Sequence, residues 1–172
     1  LEGENLEEVS FEGYGPGGIA IIVESMTDNN NRTVAEVRHA FTKSGGNLGT
    51  NGSVSYLFEK KGIITASSNQ DSDNIMEISI EAGAEDIELN EDETVTISSS
   101  PEDFENIKKS LLENEIDIDD SEISLIPETT IQADLETSLK VYKLLEMLED
   151  LDDTQNVTSN IEFADGMLDQ LD

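Results

Sequence analysis

Residues 27–62 read TDNNNRTVAEVRHAFTKSGGNLGTNGSVSYLFEKKG, a helix, a glycine stop, a loop and a strand in that order. Thr33 with Glu36 three residues on is a capping box, in which each side chain satisfies a free backbone N–H of the other. A helix is therefore expected to begin at Thr33. Val34, Val37 and Phe41 fall on one buried stripe at helical spacing. Arg32, Glu36, His39 and Lys43 lie opposite it, with Arg38 at its flank. Gly45-Gly46 ends the helix, because glycine takes the left-handed conformation that follows a last turn. Gly49 and Gly52 mark a loop. Ser53–Phe58 alternates, with Val54, Tyr56 and Phe58 as one set, which predicts a strand. Glu59-Lys-Lys-Gly62 reads as a turn, and Ile63–Ala66 as a further strand.

Upstream, residues 4–12 are polar apart from Leu6, Val9 and Phe11 and predict an edge strand. Gly13-Tyr-Gly-Pro-Gly-Gly18 matches G-x-G-x-x-G in letters only. That fingerprint has to open a helix, so that pyrophosphate meets helix N–H groups. Here the glycines lead into Ile19–Met26, a β-type run that reads as a central strand, so nucleotide binding is rejected and a flexible turn is expected.

Downstream, Ser67–Asp73 reads as a polar linker. Residues 74–82 fit both a strand and a helical stripe, and the pattern alone does not decide. Ile87 and Leu89 pair with Val95 and Ile97 as a hairpin across an acidic turn. Ser100-Pro101-Glu-Asp103 opens a helix with an N-cap, a proline at N1 and an acid at N3; Phe104, Ile107 and Leu111 are its buried stripe. Glu122–Ile126 is a strand stopped by Pro127. Asp134 caps a helix running to about Leu151 whose apolar arc is wide, so it is expected to lie against a sheet. Val157–Phe163 is the last strand, and the acidic tail from Asp165 is expected to be loose.

Residues 1–68 and 128–172 together can supply a β-α-β-β-α-β sandwich, with residues 69–127 as an inserted unit of similar type. The expected class is α+β: two ferredoxin-like α/β sandwich domains, one inserted in the other.

The chain has 172 residues and a net charge of −31. Residues 1–68 carry nine acids and five bases, against 31 acids and four bases in the remainder. Such a body repels phosphate at long range, so a nucleic-acid function requires a local basic patch. Arg32, Arg38, Lys43, Lys60 and Lys61 are that set. Against Glu36 and Glu59 they give residues 29–65 a net +3. On spacing alone, local ion pairs of Arg32 and Arg38 with Glu24, Asp28 or Glu36 are the favoured reading. No run of 18 apolar residues crosses a membrane, and no signal peptide is expected. The absence of cysteine excludes disulfides and thiolate metal sites.

His39 is the only histidine, on an exposed helix face, so zinc lacks its usual ligands and no serine–histidine motif supports a nucleophile. Carboxylate pairs occur by chance in so acidic a chain. Asp117–Glu122 and Asp150–Asp153 lack the loop glycine and closing glutamate of a calcium loop and read as solvated turns. No enzyme activity, cofactor, metal or small-molecule substrate is expected.

The stretch 27–62 resembles the core of the YebC/PmpR family of probable transcriptional regulatory proteins. GYGPGGIAIIVE before it, and AGAEDIEL, SSPEDF and IPETTI after it, are similar to that family's other landmarks. The resemblance implies an N-terminal basic helical bundle, which this chain, opening at Leu1 rather than methionine, is expected to lack. Two α+β domains follow, one inserted in the other, and residues 73–82 are then helix. It further implies a cytoplasmic DNA-binding regulator of transcription. Some relatives are linked to the ribosome or activate mitochondrial translation, so DNA or ribosomal RNA is the expected partner, with a basic protein as a further candidate. Carried over by motif, Asn31, Arg32, Thr33, Arg38, Gly45, Gly46, Asn47 and Ser53 form the contact region, to which charge adds Lys43, Lys60 and Lys61. Asn30 departs from the family, where a basic residue is frequent, and thins the patch.

Overall fold

The computed structural model describes residues 5–171. In chain order the elements are β1 (Glu7–Tyr14), β2 (Ala20–Thr27), α1 (Asn30–Lys43), β3 (Asn47–Leu48) and β4 (Phe58–Ala66). Then come α2 (Ser72–Glu81), β5 (Asp86–Leu89), β6 (Val95–Ser99), α3 (Pro101–Glu113) and β7 (Ile118–Pro127). The chain closes with β8 (Ile131–Gln132), α4 (Leu135–Glu149), β9 (Thr154–Ser159) and β10 (Ile161–Glu162). They form an α+β fold of two compact units, one running to Glu59 and resuming at Pro127, the other Lys60–Ile126.

The first unit has a sheet in the order β3-β1-β2-β9. β1 and β2 are an antiparallel hairpin with Phe11 opposite Val23 and Glu12 opposite Ile22. Successive residues of a strand face opposite ways. Phe11, Ile21 and Val23 thus form one face, buried against Val37, Ala40 and Phe41 of α1 and Val141, Leu144 and Leu148 of α4. Each such side chain contributes about 1.5–3 kcal/mol when fully buried, which makes this face the main source of the unit's stability. The elements arrive as β-β-α-β and then, after the second unit, β-α-β-β, with β8 and β10 forming a separate two-stranded sheet, rather than as β-α-β-β-α-β; both helices nonetheless cover a single sheet face.

The second unit runs β-α-β-β-α-β with sheet order β5-β6-β4-β7, the ferredoxin-like arrangement. Ile64, Ala66, Val95 and Ile97 of the sheet are buried with Ile75 of α2 and with Phe104, Ile107 and Leu111 of α3. Ser100 accepts the Asp103 N–H, and Asp134 the Thr137 N–H at 2.8 Å, so both expected caps are formed.

Several expectations give way. α1 starts at Asn30, with Asn29 as its N-cap. Of the strand expected over 4–12, residue 4 lies outside the described residues, Asn5 and Leu6 are not strand, and β1 runs from Glu7 on to Tyr14. Residues 53–58 are not a strand: Ser55–Leu57 make a 3-10 turn, which buries Val54 and leaves Tyr56 67% exposed. Glu59–Gly62 is not a turn but part of β4. β7 begins four residues earlier than expected. The last strand breaks at Asn160, whose Oδ1 accepts the Ala20 N–H at 2.9 Å while its carbonyl accepts the Ile131 N–H at 2.7 Å. That buried residue hands the chain from β2 to β8. Met167 in the tail is buried within a 3-10 turn. No helix among the described residues is long and apolar enough to cross a membrane.

Candidate nucleic-acid interface

The two halves of the 27–62 motif sit at opposite ends of α1. From Arg32 to Lys43 is about 16 Å at roughly 1.5 Å per residue.

At the N-terminal end, Asn29 Oδ1 accepts the Arg32 N–H at 3.2 Å. Thr33 is buried, and its hydroxyl lies 2.6 Å from Asp153 Oδ2 and 2.7 Å from the buried Thr27 hydroxyl. It is therefore a tie between α1, β2 and the start of β9 rather than a cap. The Arg32 guanidinium bonds Asp153 at 3.0 Å and Asp28 at 3.1 Å, and approaches Glu36 at 3.9 Å. Its surroundings also include Asp152. The Thr33 hydroxyl, opposed by burial and then aided by Arg32, holds Asp153 below the usual aspartate value. One cation ringed by carboxylates presents no net positive charge to phosphate. The local ion pairs favoured by spacing are what form at Arg32, with Asp153 as the partner that spacing did not disclose.

At the C-terminal end, Ser44 closes the helix and Gly45 follows at φ +85. A Cβ at Gly46 would lie 2.3 Å from the Tyr14 carbonyl oxygen, so only glycine lets the chain pass β1 there. Asn47 then pairs opposite Tyr14. Beyond it the loop is gathered by one residue. Glu12, 7% exposed, points away from the helices. Its Oε2 accepts the Gly52 N–H at 2.8 Å, and its Oε1 accepts those of Val54 at 3.0 Å and Ser55 at 2.7 Å. Its own carbonyl accepts the Gly49 N–H at 2.8 Å. Burial raises the Glu12 carboxyl, but the three donors outweigh it and hold the group below the usual glutamate value. These loop N–H groups are thus turned inward on a carboxylate and do not form a phosphate cradle.

The loop shows other groups to solvent. Asn47, Asn51 and Lys43 are exposed. Tyr14 is 37% exposed, its hydroxyl donating to the Ser53 carbonyl at 3.3 Å. Burial, then the adjacent Tyr56 phenol, push the Tyr14 hydroxyl above its ordinary value. Ser53 Oγ itself is buried without a partner among the described residues. Arg38 and Asn31 occupy an exposed row of α1 next to the one carrying Arg32, His39 and Lys43. Among the described residues, no carboxylate pairs with Arg38 or Lys43. Lys60 and Lys61 belong to β4 in the second unit, where neighbouring side chains point to opposite faces; Lys61 pairs with Glu85 at 3.3 Å.

The basic set is therefore divided between two ends of one helix and a second unit. Sequence reasoning missed Glu12, Asp153 and the two tyrosines. Glu12 follows Phe11 in a strand whose opposite face is core, and an acid there reads as solvated. Asp153 is one of three acids within four residues, with no local sign of which one turns inward.

The family model described as "TACO1/YebC second and third domain" matches residues 6–161. A "probable transcriptional regulatory protein" of Francisella philomiragia is 53% identical over 167 residues, which cover 97% of this chain and 67% of that one. A protein of the same name from Francisella tularensis strain SCHU S4 is 52% identical over 170 residues, covering 99% and 68%. The crystal structure of a conserved hypothetical protein from Aquifex aeolicus aligns with a TM-score of 0.84 at 47% identity, over 98% of this chain and 70% of that one.

Proposed function

The chain belongs to the TACO1/YebC family, and from that premise we propose that it regulates gene expression by binding nucleic acid through the C-terminal end of α1 and the loop that follows. The regulatory role is supported by the relatives' shared name. The place is supported by one observation: Lys43, Asn47, Tyr14 and Tyr56 are exposed where the chain leaves α1, whereas Arg32 at the other end is occupied by acids. Lys43 and Arg38 meet phosphates, and Asn47 offers an amide. Gly45 and Gly46 keep the backbone slim, and Ser53 holds Tyr14 through its carbonyl. Arg32 and Thr33 fix the helix rather than touch the ligand, and the exposed Asn31 lies at that same far end. No bond is made or broken in this role, and the acidic remainder is free to recruit a basic protein. The setting is the cytoplasm.

Duplex DNA, as in a transcriptional regulator, is the first target. Ribosomal RNA is the second, and Tyr56 favours it: an exposed tyrosine beside a second one, Tyr14, suits the unstacked bases of structured RNA, which pile onto aromatic rings. Crosslinking of the protein in cells, followed by sequencing of the attached nucleic acid, tests both. Promoter DNA supports the first and ribosomal RNA the second. Recovery of no nucleic acid above background overturns the proposal.

A further inference from the structure

Among the described residues, Glu12 is the ionisable side chain that reaches the loop at three points, Gly52, Val54 and Ser55. It is anchored from β1, opposite Ile22 of the central strand, and so ties a glycine-rich segment to the most buried part of the first unit. Gly52 sits at φ +88 with open space where a Cβ would go, so no packing of its own fixes that turn. Removing the carboxylate leaves the loop held by the Glu12 carbonyl at Gly49, the Tyr14 hydroxyl at Ser53 and the buried Val54 side chain, and releases the Gly52 turn and the Val54 and Ser55 N–H groups. The next residue is Tyr56, which is 67% exposed and whose phenol meets that of Tyr14.

We propose that Glu12 is a positioning residue for nucleic-acid binding: an anionic side chain that raises affinity for an anionic ligand, by holding the Gly49–Ser55 loop so that Tyr56 and Asn51 face the bases. This rests on the nucleic-acid reading given above. It differs from a purely electrostatic role in the sign of its effect. Removing a negative charge near a phosphate-binding surface ordinarily strengthens binding, whereas here it weakens binding.

The test compares the whole chain with its Glu12→Gln and Tyr56→Ala variants, on a mixed-sequence RNA oligonucleotide and on a DNA duplex of the same sequence. Amide exchange is read at Gly52, Val54 and Ser55. Affinity of Glu12→Gln is expected to fall about tenfold, the scale of a lost charge-assisted hydrogen bond, with faster exchange at those three amides and unchanged exchange in the second unit. Equal or tighter binding by Glu12→Gln, while Tyr56→Ala binds more weakly than the parent, overturns this inference alone. If neither nucleic acid binds the parent chain, the underlying reading falls and takes this one with it. Should Glu12→Gln fail to fold, Gly52→Ala decides. It leaves the carboxylate in place and strains only the turn, so weaker binding supports the positioning role and unchanged binding overturns it.

Discussion

Arg32 and Asp153 meet across the first unit: one terminal guanidinium nitrogen of Arg32 lies 3.0 Å from Oδ2 and 3.1 Å from Oδ1 of Asp153. The same Oδ2 takes the Thr33 hydroxyl, so a single carboxylate joins the first turn of α1 to the start of β9. Arg32 is 46% exposed and Asp153 12%, and water screens the ion pair accordingly. Asp153→Ala is expected to cost about 1–2 kcal/mol, mostly through the hydrogen bonds. Urea denaturation measures it. A change within error would mean that water replaces the carboxylate without loss.

Thr33 distinguishes a tie from a cap. Thr33→Ser keeps the hydroxyl, while Thr33→Val removes the donor that Asp153 and Thr27 share and should cost about 1–3 kcal/mol. Asn29→Ala, by contrast, is expected to cost about 1 kcal/mol as an N-cap loss. A silent Asn29→Ala would exclude Asn29 as the cap, and a neutral Thr33→Val would exclude the tie to Asp153.

Stability should fall in acid for a reason that can be localised. Glu12 and Asp153 both lie below their ordinary values in the folded chain. Each therefore contributes stability that is fully present above its unfolded value and lost as the pH falls through its folded one. The window lies at and below the usual carboxylate range, about pH 4. Denaturation midpoints across that range should show a shallower acid limb for Glu12→Gln than for the parent, because the variant has no proton to take up at that site. Superimposable limbs would exclude Glu12 as a contributor.

Phosphate contacts reveal themselves in salt dependence. Lys43→Ala and Arg38→Ala should each weaken binding and reduce the slope of log affinity on log salt by about 1. Arg32→Ala should leave that slope unchanged, because its charge is already matched by Asp28 and Asp153. A reduced slope for Arg32→Ala would show that the ligand displaces those carboxylates.

What could be read in advance follows the range of the interactions. α3 and α4 begin where Ser100 and Asp134 place them, because a cap bonds within three residues. The β5–β6 hairpin likewise depends on a short acidic turn. The start of α1 is harder: three asparagines precede Thr33, any of them able to cap, and the threonine's partner lies 120 residues away. The strand expected at Ser53–Phe58 fails for the same reason. Its alternation is real, but three of its neighbouring N–H groups turn toward Glu12, some 40 residues upstream. The basic residues were identifiable as a set from composition. Their separation to the two ends of α1 and to β4 depends on where the glycines let the chain turn.

The Glu128 N–H donates to the Leu57 carbonyl at 3.0 Å, immediately outside the two ends of the second unit. To the outer sandwich, everything between those residues is topologically a single reverse bend, already latched at its neck. A gene shortened to join Leu57 to Glu128 by a few glycines would leave the host's wiring unaltered, and a foreign module spliced at the same point would enter without rethreading a strand.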